Sequence, residues 1–439
     1  MFRRLRAFLG IRFVRDVLTL QFGTGVYMVG TFVASIVVAR VLGAEQFGAY
    51  AVALSVVGTV TALTSLGQGG TLLVFFAEEH GKRDMRGMSI VLRNYIHVGI
   101  AACAVYAVAS WSAGHWLRSL YGNDVLALPI QAFLFFQMTE IWTSMAIVLL
   151  QALRHIRAKV LLEQGSRLAG VAAMIIAVLM GWGVTGIALS QCAVGIVMSL
   201  LCSWVLQSLA RRGEIPGLQA ILRVRVAETK HHFTQGVLIA ADKSLGNLFP
   251  AGLLFLLSLW APAASVGIAR IATQLAGLPR MVFLPQVVDM SVSVLGQIKA
   301  SGVEKLRRHA ALIVKHAVAG HALLSFGAML VLPWLVSVAY GSEYVRAVPL
   351  TLWLILLSLP VALCVVNSPL LRLERRTHLS IVQGVIAWIA MPLALLAGAH
   401  LGNPLAGFAV AYAIAQVFPL SVTAYLFFFR LRPVTVKSR

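Results

Sequence analysis

Twelve apolar stretches follow one another along the chain, at approximately 17–39, 48–76, 89–110, 127–151, 160–180, 184–209, 234–259, 263–293, 311–339, 347–370, 378–399 and 404–429. A helix of about 20 residues crosses a hydrocarbon layer, so each stretch is long enough to span one. No water is available inside that layer, and a helix satisfies its own backbone hydrogen bonds there. Stretches beyond about 25 residues imply tilt or short extensions past the bilayer. Composition agrees: 59% of the 439 residues are hydrophobic, only 12% are charged, and mean hydropathy is +0.88. A soluble domain carries about 25% charge. A water-soluble enzyme, a disordered chain and a disulfide scaffold are excluded, and an all-α polytopic membrane protein is expected. Cys103, Cys192, Cys202 and Cys364 lie inside apolar runs with no metal-ligand spacing and read as small buried hydrophobes.

A net charge of +21 would point to nucleic acid in a soluble protein. Here the basic residues fall in short runs between apolar stretches, so topology accounts for them and no nucleic-acid partner is expected. The N-terminus, the even-numbered loops and the C-terminus carry 27 Lys and Arg, including Arg3, Arg4, Arg6, Arg154, Arg157, Arg307, Arg308, Arg375 and Arg376. The opposite side carries three, Arg40, Arg118 and Arg346. The positive-inside rule makes both termini cytoplasmic. Residues 1–16 read as a basic amphipathic helix on the inner membrane surface, not a cleaved signal peptide, because no short apolar region precedes a small-residue cleavage site. Residues 217–232 and 297–310 read as interfacial linker helices.

The chain also matches itself at an offset of 219 residues. Gly48, Gly58, Gly122, Gly165 and Gly183 fall on Gly267, Gly277, Gly341, Gly384 and Gly402, each pair at the same place in a six-helix plan. An even number of spans per half makes this a parallel repeat, related by an axis along the membrane normal. Two six-helix bundles are expected, residues 1–216 and 217–439. Rocking one against the other would give alternating access.

No phosphate-binding glycine-lysine run, no His-Glu-x-x-His motif and no large hydrophilic domain occurs, so neither an enzyme, a cofactor nor a metal site is expected. Attention falls on charges inside the spans, each costly enough to need a reason. Lys243 lies about ten residues into the seventh span, next to Asp242 and one turn before Asn247. Arg270 lies in the eighth span with Gln274 one turn further on the same face. Arg280 follows between Pro279 and Pro285, where a kink could open the backbone toward a cavity. Glu140 lies near the middle of the fourth span, with Gln137 and Ser144 on its stripe. Glu163 and Arg167, spaced i and i+4, read as a structural pair. Positive charge deep in a hydrated cleft suits an anionic cargo such as a phosphate or pyrophosphate group.

Three segments bear a family resemblance. Arg40-Val41-Leu42-Gly43-Ala44-Glu45-Gln46-Phe47-Gly48-Ala49-Tyr50 resembles the signature after the first helix of the polysaccharide-export (Wzx-type) flippases. Leu66-Gly67-Gln68-Gly69 resembles their small-residue turn late in the second helix, and Tyr340-Gly341-Ser342-Glu343-Tyr344, followed by Ala347 and Pro349, their outer-loop motif before the tenth. The resemblance implies the fold of the multidrug/oligosaccharidyl-lipid/polysaccharide (MOP) superfamily, a MATE-like pair of bundles. It further implies a bacterial inner-membrane flippase that moves an undecaprenyl-pyrophosphate-linked oligosaccharide to the outer leaflet through a cationic cavity. Lys243, Arg270, Arg280, Asn247 and Gln274 would line that cavity. Asp242 and Glu140 would serve proton or sodium coupling. A polysaccharide polymerase and chain-length proteins would be partners, beside membrane lipids. The motif residues read as structural, with Gly43 and Gly48 permitting a tight hairpin. An ion-coupled multidrug exporter shares the twelve-helix plan and is the competing reading; its carboxylates usually lie in the N-terminal bundle, a role open to Glu140.

Overall fold

The computed structural model describes residues 12–64, 68–121, 126–225, 246, 248–298, 302–373, 376 and 378–430. Among them every regular element is helical and no strand occurs. Nine stretches of these residues are long and apolar enough to cross a membrane. Their outer surfaces carry large apolar side chains in quantity, with Trp111 at 88% exposure and Leu401 at 84%. Water would not tolerate such a surface and lipid favours it. The chain is a multi-pass membrane protein, and by internal packing it forms two compact units, Met1–Ser244 and Leu245–Arg439.

The first unit contains α1 (Arg12–Thr64), α2 (Gln68–Lys82), α3 (Met85–Tyr121), α4 (Ala127–Ala152), α5 (Ile156–Leu179), α6 (Gly183–Arg211) and the short α7 (Leu218–Arg223). Expected spans one and two fall on α1 and α2, and they are separated at Gly43, where φ is 70° and ψ 173°. Only glycine adopts that backbone without strain. Third to sixth spans coincide with α3 to α6. The third helix outruns its apolar stretch and continues to Tyr121 because Ala113 and Leu117 on the extension are fully buried. Helices α2 to α7 meet in one core built on Phe76, Leu92, Leu149, Cys202 and Ile221. The last of these anchors α7, the described part of the expected 217–232 linker, with Leu218 and Leu222 left exposed.

The second unit contains α8 (Leu248–Ser258), α9 (Ala263–Ile298), α10 (Val303–Leu335), α11 (Ala347–Ser358), α12 (Asn367–Leu373), α13 (His378–His400), α14 (Pro404–Val417) and α15 (Pro419–Tyr425). Helix α8 is the described end of the seventh expected span. The expected linker helix over 297–310 is not a separate element. Its first two residues close α9 and residues 303–310 are the opening turns of α10, because Leu306 and Ala310 join the core. Helix α9 runs unbroken through Pro279 and Pro285. The tenth span is interrupted instead: α11 ends at Ser358, a 3-10 turn covers Leu359–Cys364, and α12 begins at Asn367. The twelfth is interrupted at Phe418, before Pro419. Helices α13 and α14 cross at Gly398 and Gly407, where a Cβ on either would strike the other's backbone.

The repeat extends to the cores. Phe76 and Leu295, Val91 and Ala310, and Ala146 and Val365 are pairs at the 219-residue offset, each with one member in either core. Within the first unit the even-numbered loops gather at one end, as the charge alternation requires. His155, between α4 and α5, contacts Glu214 beyond α6 at 2.6 Å. The start of α3, the end of α6 and α7 enclose a cavity of about 640 Å³ that includes Arg86 and Arg223. Arg83 and Arg154 in these loops hold φ at 58° and 61°, a left-handed backbone usually given to glycine. Arginine there keeps basic charge at this end at a conformational cost. Gly43→Ala is therefore expected to destabilise the purified protein by about 1–3 kcal/mol. Arg154→Gly should stabilise it by about 1 kcal/mol or less. Thermal unfolding in detergent reads both, and a neutral Gly43→Ala would remove the backbone argument.

Candidate functional site

Ionisable side chains occur inside both units. In the first, the i, i+4 spacing on α5 brings Arg167 Nη2 to 3.0 Å from Glu163 Oε1, as the sequence predicts. One turn earlier Lys159 Nζ lies 3.2 Å from Glu163 Oε2, so one carboxylate bridges two cations. The Arg167 guanidinium also lies over the Tyr27 ring of α1, 5.0 Å from its centre. Glu140, half-buried on α4, has Arg167 as its charged neighbour. Two acids and two bases thus offset one another across α4 and α5. Beside Glu140, Tyr95 of α3 donates to the Ile141 carbonyl at 2.9 Å and Ser199 of α6 to the Thr139 carbonyl at 3.1 Å, which fixes the middle of α4.

The second unit carries different chemistry. Arg270 and Gln274 are half-buried one turn apart on α9, among the buried Ala269, Ile271, Ala272 and Leu275. Arg280 is exposed ten residues on, about 15 Å further along the helix. It lies within electrostatic reach of His321 on α10 and Tyr412 on α14. Lys243, Asp242 and Asn247 lie outside the described residues. The sequence did not single out His321, because an isolated histidine in an apolar run forms no motif. Nor did it reveal the bonds that link the two interrupted spans. Asn367 Nδ2 donates to the Pro419 carbonyl at 2.9 Å, and Thr423 Oγ1 donates to Asn367 Oδ1 at 2.9 Å.

The sequence motifs hold helices together. Phe47 is buried and its ring centre lies 6.1 Å from that of Tyr50, which in turn meets Phe133 of α4 at 6.2 Å. The Tyr50 hydroxyl donates to Met174 Sδ on α5 at 3.4 Å. In the third motif Gly341 takes φ 98°, and Tyr340 and Tyr344 pack edge to face with centres 6.1 Å apart, while Leu66 and Gly67 of the second lie outside the described residues. Burial, then the adjacent Glu343 carboxylate, pushes the Tyr344 hydroxyl above its ordinary range, so it stays neutral.

A helical, multi-pass membrane protein with charged side chains inside two bundles is the class that this architecture defines. Residues 13–299 match the model of the polysaccharide biosynthesis protein family, and the chain belongs to that family. No curated protein sequence matches it significantly. Its fold is that of solved MATE transporters. An inward-facing multidrug resistance MATE transporter of the MOP superfamily superposes with a TM-score of 0.69 at 15% identity, covering 94% of this chain and 99% of the other. A MATE structure in complex with MaL6 gives 0.65 at 16% identity, covering 94% of each. A MOP superfamily transporter from Pyrococcus furiosus gives 0.62 at 16% identity, again covering 94% of each; its binding pocket is described as of reverse polarity, suggesting a different function.

The Lys159–Glu163–Arg167 cluster makes a direct prediction. Glu163→Gln leaves two cations facing each other and should lower the unfolding midpoint. Adding Arg167→Gln should recover part of the loss. The double-mutant cycle is expected to return a coupling of about 0.5–3 kcal/mol. Additive effects would mean that the bridge contributes nothing.

Proposed function

We propose that the protein is a transporter that flips an undecaprenyl-pyrophosphate-linked oligosaccharide from the inner to the outer leaflet of the bacterial inner membrane by alternating access. The match to the polysaccharide biosynthesis family over residues 13–299 carries this reading. It is supported by the MATE-like fold and by Arg270 and Arg280 within the spans of the second unit. The pyrophosphate needs cationic partners that are stronger in lipid surroundings than in water. Lys243 and Arg270 would hold it, with Arg280, Asn247 and Gln274 as further contacts, while the glycan occupies a hydrated cleft and the isoprenoid tail stays in lipid. Asp242 and Glu140 would couple the cycle to protons or sodium. Both termini would be cytoplasmic, and a polysaccharide polymerase and chain-length proteins would receive the product.

A fold relative of reverse pocket polarity accords with a MATE-like scaffold adapted to a cargo other than a cationic drug. The drug-exporter alternative predicts a different phenotype in a strain lacking the gene. Under the flippase reading, an undecaprenyl-linked oligosaccharide accumulates on the cytoplasmic side, and wild-type protein relieves it while Lys243→Ala and Arg270→Ala do not. Both variants should still fold and reach the membrane. No accumulation, together with raised sensitivity to cationic drugs, would replace the flippase by the exporter. A flipping rate indifferent to proton and sodium gradients would remove the coupling role of Asp242 and Glu140.

A further inference from the structure

Helix α10 turns one stripe of residues inward: Leu306, Ala310, Ala317, His321, Ser325 and Leu332. Four of these six are the apolar residues that such a stripe demands. The other two are polar and adjacent on the face, one turn apart. His321 is 0% exposed and Ser325 1%. Neither imidazole nitrogen nor the serine hydroxyl has a partner that meets hydrogen-bond geometry, although the Ser358 backbone lies within reach of the ring. Buried polar groups are nearly always partnered, and an unmet one calls for a missing component or a role. At the preceding residue, the Phe283 ring of α9 packs against Gly320.

The facing segment is the interrupted tenth span. The backbone of Ser358 lies beside His321, and Ser358 is the last residue of α11 before the 3-10 turn Leu359–Cys364. Non-helical backbone at membrane depth is tolerated where protein or a hydrated cavity meets its hydrogen-bonding needs, and it marks ion sites in transporters. The repeat adds an independent pointer. Ser358 corresponds to Thr139 at the 219-residue offset, the residue before Glu140. In the first unit the Glu140 carboxylate lies beside Tyr95 where the third and fourth spans meet, and in the second the His321 imidazole lies beside Ser358 at the corresponding junction. Among the described side chains of the elements packed against α10, α9 carries Arg270 and Arg280, of which Arg280 lies within electrostatic reach of His321, while α11 has no ionisable side chain and the 3-10 turn has the Cys364 thiol. Tyr412 of α14 shares the field of Arg280.

We propose that His321 is a proton-binding site of the second unit, with Ser325 Oγ and the Ser358 backbone carbonyl as the acceptors available to its protonated ring. The unperturbed imidazole changes charge near neutral pH, and a fully buried one beside a guanidinium holds a proton only when acceptors close on it. A charge appearing beside Ser358 needs those acceptors, so occupancy biases the interrupted segment between two arrangements. The site is defined by the second unit alone and stands whether or not the cargo is a lipid-linked glycan.

The test uses the purified full-length protein in detergent, titrated with a pH-indicator dye between pH 5 and 8. Wild type should take up about one proton more than His321→Gln, and Ser325→Ala should shift the midpoint of that step. Hydrogen exchange over residues 355–366, corrected for intrinsic pH dependence, should change across the step in wild type and stay constant in His321→Gln. Equal proton counts for wild type and variant would overturn the proposal. Should His321→Gln fail to fold, a wild-type exchange pattern over 355–366 that ignores pH, with no midpoint shift in Ser325→Ala, would overturn it equally. Loss of flipping has no bearing on either readout, so failure of the flippase reading remains distinguishable.

Discussion

Inside a bilayer a peptide group without a hydrogen-bond partner costs several kcal/mol, and the rest of this structure depends on meeting that requirement. It makes every described span a helix. It also decides where a helix can stop. The tenth and twelfth spans break at Ser358 and Phe418, and side-chain hydrogen bonds join the segments that follow the two breaks. Asn367, just past the first, donates to the carbonyl of Pro419, just past the second, and Thr423 holds the far side of the asparagine amide. Two interruptions thus share one polar joint, in which Thr423 Oγ1 also reaches the Pro419 carbonyl at 3.3 Å.

The same requirement governs charge. In the first unit Glu163 holds Lys159 and Arg167 on one helix face, Tyr27 covers the arginine, and Glu140 stands within its field. Such a cluster can exchange one partner for another without leaving a lone charge in a low-dielectric interior. In the second unit the two arginines of α9 sit differently, Arg270 half-buried and Arg280 exposed, with a buried imidazole within the reach of Arg280. Three core positions recur at the 219-residue offset, while the charged side chains mounted on the two units differ. A scaffold conserved in packing and free in polar content is consistent with one fold carrying different cargoes.

Much was legible in the primary structure, for reasons of scale. The order of the apolar helices among the described residues follows local apolarity, which acts over about 20 residues, and the gathering of the even-numbered loops of the first unit at one end matches their charge alternation. The break at Gly43 was legible because glycine alone takes that backbone, and the Glu163–Arg167 pair because i, i+4 spacing is a property of one helix. Boundaries departed from expectation where a buried contact extended a helix past its apolar stretch. Ala113 and Leu117 prolong α3, and Leu306 and Ala310 turn an expected surface linker into the start of α10.

What only the tertiary structure decided are the relations between helices distant in sequence. That His321 and Ser325 face inward, opposite an unwound turn, depends on how α10 is rotated against α9 and α11. That Arg167 stacks on Tyr27, about 140 residues away, and that Asn367 bonds to Pro419 depend likewise on packing. Along one helix the sequence determines which residues share a face. Which face meets protein and which meets lipid is settled by shape fit among several helices at once, because lipid tails and buried side chains are equally apolar and hydrophobicity alone cannot choose between them.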